Sequence, residues 1–88
     1  MEFEWDEEKA ALNLEKHGIS FETAARVFDD PEYLEIYDLT HSNDEDRYIV
    51  IGKVDDVLFV VYTEREERIR LISARVANVV ERNQYYGN

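Results

Sequence analysis

Arg68, Arg70 and Arg75 are the residues best suited to chemistry in this sequence, because they crowd into eight consecutive positions and carry a charge that ordinary pH does not remove. A guanidinium presents a planar fork of N–H donors, which fits the oxygens of a phosphate better than the point charge of lysine does. The chemistry this points to is anion binding. Arg68 and Arg70 alternate with Ile69 and Leu71, so on a strand the two guanidinium groups stand side by side on one face while the apolar pair turns to the other. A plainer reading stands beside it, in which the arginines solvate a sheet face and pair with Glu64, Glu66 and Glu67.

The element that must hold them is a hairpin. Val57 to Val61 contains no polar residue, which suits a central strand buried on both faces. The chain then turns over a charged tip at Arg65-Glu66 and returns through the arginine-bearing arm. Ser73 or Ala74 begins a closing helix that runs to about Tyr85. Its spacing buries Val76, Val79 and Val80 and sets Arg75, Asn78, Arg82 and Tyr85 on a shared stripe.

Upstream, Phe3-Glu4-Trp5 reads as a short edge strand. Asp6 is a good N-cap with Glu7 and Glu8 in the first turn, so a helix runs from Glu7 to Lys16 or His17 and stops at Gly18. Ser20 caps a second helix from Phe21 to about Val27, which Asp29-Asp30-Pro31 terminates. Tyr33–Tyr37 and Arg47–Lys53 read as strands, and Asp55-Asp56 as the tight turn into the central strand. These elements define one small α+β domain over residues 1–88. It is an antiparallel four-stranded meander with two N-terminal helices and one C-terminal helix, to which the N-terminal segment adds at most a fifth short strand. His17 sits where a helix dipole favours an imidazolium, and it is also a group able to move a proton near neutral pH. His41 falls in a polar stretch, Thr40 to Asp46, and reads as a solvated loop residue. The paired acids at Asp29-Asp30 and Asp55-Asp56 read as turn chemistry, so neither metal nor cofactor is expected.

Charge narrows the functional classes. The net charge is −11, but residues 1–46 hold 15 acids against Lys9, Lys16 and Arg26, whereas residues 47–88 hold six acids against seven bases. A field this negative repels nucleic acid at long range, so any anion site must be local and must lie in the second half. There is no cysteine, hence no disulfide framework and no thiolate metal site, as suits a cytoplasmic protein. The acidic N-terminus lacks the apolar run of a signal peptide, and the longest apolar run, six residues, is too short to span a membrane.

Phe3-Glu4-Trp5-Asp6 with Lys9, Asn13, Lys16-His17-Gly18-Ile19 with Phe21, Phe28-Asp29-Asp30-Pro31, Arg47-Tyr48 with Ile51-Gly52, and Arg68-Ile69-Arg70-Leu71-Ile72-Ser73-Ala74-Arg75 together resemble the BrnT family, the toxin half of a type II toxin–antitoxin pair. The resemblance covers nearly the full length. It implies a RelE-like fold and a ribonuclease that halts translation. It also implies a BrnA-like antitoxin, which neutralises the toxin and carries the only link to DNA. In the metal-independent chemistry expected of such an enzyme, the RNA 2′-hydroxyl attacks the neighbouring phosphorus. Laid onto the matching positions, Arg70 and Arg75 stabilise transition-state charge, Arg47, Arg68 and Arg82 hold the RNA backbone, and His17 or Tyr86 transfers a proton. The substrate expected is RNA, including ribosome-associated mRNA. An alternative is a catalytically weak or inactive relative that binds the antitoxin and modulates operon repression. In either case the antitoxin is expected to cover the face bearing Arg68 and Arg70.

Overall fold

The computed structural model describes residues 1–87, in which five strands form one mixed sheet. In chain order the elements are β1 (Glu2–Glu4), α1 (Glu7–His17), α2 (Phe21–Ala25), β2 (Leu34–Tyr37), β3 (Arg47–Val54), β4 (Asp56–Arg65), β5 (Arg68–Val76) and α3 (Val79–Tyr86). Short 3-10 turns at Arg26–Asp29 and Leu39–His41 flank β2. Strands β2 to β5 pair antiparallel in succession, whereas β1 joins the outer side of β5 in parallel, Phe3 opposite Ile69 and Glu4 opposite Arg70. The sheet is therefore mixed and five-stranded rather than purely antiparallel. No helix among the described residues is long and apolar enough to cross a membrane.

The hairpin expected around the arginines is β4–β5. Its tip is Glu66-Glu67, with φ of 50° and 68°, a left-handed pair that matches the twist of the flanking strands but suits Asn-Gly far better than two glutamates. Helix α1 starts on the Asp6 side chain, which accepts from the Lys9 N–H at 3.1 Å, and ends at Gly18 with φ 72°. Ser20 caps α2 in the same way. The second helix is shorter than its spacing suggests: it tightens into the 3-10 turn at Arg26, before Pro31 enforces the stop.

The largest departure lies at the C-terminus. No helix begins at Ser73 or Ala74; β5 continues to Val76 because β4 is ten residues long and needs backbone partners for Phe59, Val60 and Val61. Tertiary pairing here overrides local propensity. Helix α3 starts only after Asn78, whose side chain accepts from the Glu81 N–H at 2.9 Å while Glu81 accepts from the Asn78 N–H at 2.9 Å, a complete capping box. Val76, Val79 and Val80, expected to be buried, are 43%, 72% and 67% exposed.

The two faces of the sheet are built differently. Helices α1 and α2 cover one face, burying Phe21, Ala24, Val27, Val50, Val60, Tyr62 and Leu71 in one cluster. Aromatic rings run across it in contact, with centroids 5.3 Å apart for Tyr48–Tyr62, 5.4 Å for Phe28–Tyr62 and 5.5 Å for Phe3–Phe28. Asn13 joins α1 to the sheet. Strand β1 pairs with β5 only from Arg68 to Arg70, and beyond it the exposed edge of β5 is satisfied by the Asn13 amide, which donates to the Ala74 carbonyl at 2.9 Å and accepts from the Ala74 N–H at 3.0 Å. A side chain thus completes the ladder where the strand runs out. The opposite face is covered only at one end, where Ala77 and Tyr85 pack on Ile51 and Val57.

Candidate functional site

The uncovered face takes its character from a bulge. Register shifts between Val61 opposite Ser73 and Tyr62 opposite Leu71, leaving Ile72 as an extra residue in β5. Strict alternation would turn Arg75 away from Arg68 and Arg70, toward the helices. The extra residue restores the phase, so Arg68, Arg70, Ser73 and Arg75 all fall on the uncovered face, as does Arg47 opposite Thr63.

A cleft of about 370 Å³ opens on this face. Ile49, Phe59 and Val61 line it together with Arg47, Ser73 and Arg75, and the loop before β3 supplies Asp38, Thr40 and His41. That loop is fixed by one backbone bond and one side chain: Asp38 N–H donates to the Arg47 carbonyl at 2.8 Å, and the Ser42 hydroxyl accepts from the Arg47 N–H at 2.9 Å and donates to the Asp38 carbonyl at 2.6 Å. Arg47 makes no ion pair among the described residues. Arg75 is held on two sides. Its guanidinium lies 4.1 Å above the Phe59 ring and donates in bidentate fashion to Glu81 at 2.8 and 2.9 Å. The Glu81 hydrogen bond pushes the Arg75 pKa up, and the Arg75 bond holds the Glu81 carboxyl below its ordinary range against the opposing effect of burial.

The other expected residues separate. Arg70 faces the same side but donates to Glu4 at 2.7 Å, and Arg68 lies 3.8 Å from Glu2 and 3.7 Å from Glu4. The Arg70 bond holds the Glu4 carboxyl below its ordinary value. Arg82 pairs with Asp56 at 2.8 Å, away from the cleft lining. The helical stripe of Arg75, Asn78, Arg82 and Tyr85 does not form, because Arg75 is a strand residue. Tyr85 instead donates to Asp30 Oδ2 at 2.6 Å, which pushes its pKa up to about 12 and ties α3 to the turn before β2. Tyr86 is half exposed and rests against Tyr85. His17 ends α1, on the helix-covered side.

His41 is not the solvated loop residue its polar surroundings suggest, although its ring stays exposed. Asp38 accepts from the His41 backbone N–H at 3.3 Å and from its Nδ1 at 3.0 Å, so the loop is a capped 3-10 turn rather than a free polar stretch. The available signal was the Asp-x-x-His spacing, which is that of an N-cap and the residue it caps.

The described residues thus form a five-stranded mixed sheet with α1 and α2 on one face and, on the other, an arginine-lined cleft. A family model described as "Ribonuclease toxin, BrnT, of type II toxin-antitoxin system" matches residues 5–81. The chain is also similar to the ribonuclease toxin BrnT of Brucella abortus, whose crystal structure superposes with a TM-score of 0.66 at 26% identity, over 89% of this chain and 97% of that one. No curated protein matches. The class is thus a ribonuclease toxin of a type II toxin–antitoxin system. Within that class, the chain belongs to the BrnT family. The matched span ends at residue 81, so Arg47, Arg68, Arg70 and Arg75 lie inside it and Arg82 and Tyr86 beyond it.

Proposed function

We propose that this chain is a metal-independent endoribonuclease on a RelE-like fold, acting as a single toxin domain that cleaves RNA, inhibits translation, and is neutralised by a BrnA-like antitoxin. The observation that carries the reading is the cleft in which Arg47, free of any ion pair among the described residues, meets Arg75, Ser73 and His41 on a bare sheet face. On a molecule of net charge −11, a local cluster of this kind is where a phosphodiester finds favourable potential.

Arg75 and Arg47 take the scissile phosphate, whose oxygens gain charge as the 2′-hydroxyl attacks. Losing one such donor costs on the order of 10²- to 10³-fold in rate. Arg68 and Arg70 extend the positive strip along β5 toward neighbouring phosphates once these compete with Glu2 and Glu4. Ribosome-bound mRNA is one substrate that would be oriented by its own scaffold. The antitoxin is expected to occlude the same face.

The test is expression of the chain alone, together with cleavage of an mRNA transcript by purified protein in EDTA. Wild type should arrest growth and cleave; Arg47→Ala combined with Arg75→Ala should do neither while remaining folded by circular dichroism at the assay temperature, its melting temperature lowered by the lost Arg75–Glu81 pair. A double variant that remains fully toxic would place the site elsewhere. One observation favours the alternative of an antitoxin-binding relative with little activity: Arg68, Arg70, Arg75 and Arg82 each already hold a carboxylate. Full-strength arrest by the wild type removes that alternative.

A further inference from the structure

We propose that His41 is the general base of the RNA-cleaving step and that Asp38 is its positioning residue. The proposal rests on the ribonuclease reading above and adds a proton-transfer group at the cleft itself, whose lining includes neither His17 nor Tyr86.

The argument begins with the tautomer. Nδ1 of His41 lies 3.0 Å from Asp38 Oδ2 and 3.1 Å from Oδ1. A carboxylate only accepts, so Nδ1 carries the proton in that bond, and in the neutral ring the lone pair is left on Nε2. Nε2 has no hydrogen-bond partner among the described residues. Exposure sorts the pair in the direction catalysis needs: the Asp38 side chain is 13% exposed and sheltered, whereas the imidazole is 66% exposed and reachable by a polymer. The turn is itself pinned to β3 through Asp38, Ser42 and Arg47, so the ring is carried on the same backbone as the unpaired guanidinium. His41, Arg47 and Arg75 border one cleft, which puts the base beside the groups that neutralise the phosphate.

The step balances without a co-reactant. Nε2 takes the proton from the 2′-hydroxyl as the O2′–P bond forms, the P–O5′ bond breaks, and the departing O5′ takes a proton from water. The imidazolium then returns its proton to solvent. The products are a 2′,3′-cyclic phosphate end and a 5′-hydroxyl end.

The experiment uses the full chain and a defined mRNA transcript, with the main cleavage site remade as a short RNA bearing either the natural 5′ oxygen or a 5′ sulfur leaving group. His41→Gln should lower the cleavage rate by about 10²- to 10⁴-fold. RNA affinity and melting temperature should stay within experimental error. The loss should persist on the sulfur substrate, whose leaving group needs no proton. Asp38→Asn, which keeps the shape but lets an amide N–H face Nδ1 and so moves the ring proton to Nε2, should reproduce most of the loss. Added imidazole should restore part of the rate of His41→Ala, a rescue that a merely structural histidine would not give. The rising limb of the pH–rate profile should flatten in His41→Gln while Asp38, Asp44, Glu45, Arg47 and Arg75, the charged groups around the ring, are unchanged.

A His41→Gln rate within threefold of wild type overturns the proposal, as does a defect cured by the sulfur leaving group. A wild-type rate for Asp38→Asn removes the positioning role. If wild type cleaves and the Arg47/Arg75 double variant does not, while His41→Gln does, this inference fails and the ribonuclease reading stands. If wild type itself cleaves nothing, the reading fails first.

Discussion

The two faces of this sheet share the same strands and yet are held together by opposite kinds of chemistry. On the helix-covered face, alternate residues of β3, β4 and β5 contribute Val50, Val60, Tyr62 and Leu71 to a closed apolar cluster. On the other, the residues between them contribute Ile49, Phe59 and Val61 with Arg47, Arg65, Arg68, Arg70 and Arg75, and α3 shields one end from water. The covered face supplies stability through apolar burial rather than through paired charges. The bare face stores charge, and each guanidinium there except Arg47 is restrained by a nearby carboxylate. A period of two along the chain is therefore enough to place a core and a binding surface on one set of strands, provided something protects the second surface from collapse.

Substitutions can break this contrast. The largest effect is expected on the covered face, where Phe21 is fully buried against Trp5, with centroids 5.9 Å apart. Phe21→Ala should destabilise the fold by about 3–5 kcal/mol in urea titration. RNA cleavage per folded molecule should be unchanged. A specific loss of cleavage at full stability would show that the faces are coupled.

On the bare face, Glu81→Gln should lower stability by about 1 kcal/mol. It should also tighten RNA binding severalfold, by roughly the 1 kcal/mol of one removed like charge. Weaker binding would mean that Glu81 aims Arg75 rather than restrains it. The same carboxylates set the response to acid. Glu81 and Glu4 have folded pKa values below the unfolded value of 4.5, each held down first by its arginine hydrogen bond. Such groups stabilise the fold above about pH 4.5, and the contribution is lost as pH falls through the lower folded values. Stability should therefore be flat in this respect from pH 7 to 5 and decline below about 4.5, less steeply in Glu81→Gln. The smallest effect belongs to the hairpin tip: Glu66→Asn with Glu67→Gly should stabilise by about 1 kcal/mol in thermal melts, because both positions have positive φ.

Much of the covered face was legible in the chain. Asp6 and Gly18 bracket α1, Ser20 opens α2, and the apolar run from Val57 marks the central strand, because caps and periodicity are local rules with local causes. The bare face was legible in residue type but not in arrangement. The spacing of Arg75, Asn78, Arg82 and Tyr85 suits a helix, and nothing nearby in sequence reveals that β4 needs Ser73 to Val76 as a partner. For His41 the Asp-x-x-His spacing marks a capped turn, but its neighbours across the cleft are not written in that spacing.

The amino-acid order alone determined where helices could start and stop, which strand would be central, and that positive charge would gather in the second half. Only the folded molecule decided that β1 would run parallel beside β5, that a single extra residue at Ile72 would bring Arg75 into line with Arg68 and Arg70, and that the Leu39–His41 turn would border the same cleft. The physical reason is range. Caps and alternation are governed by contacts a few residues apart, whereas register and convergence depend on backbone groups that meet only when distant segments must satisfy one another's hydrogen bonds.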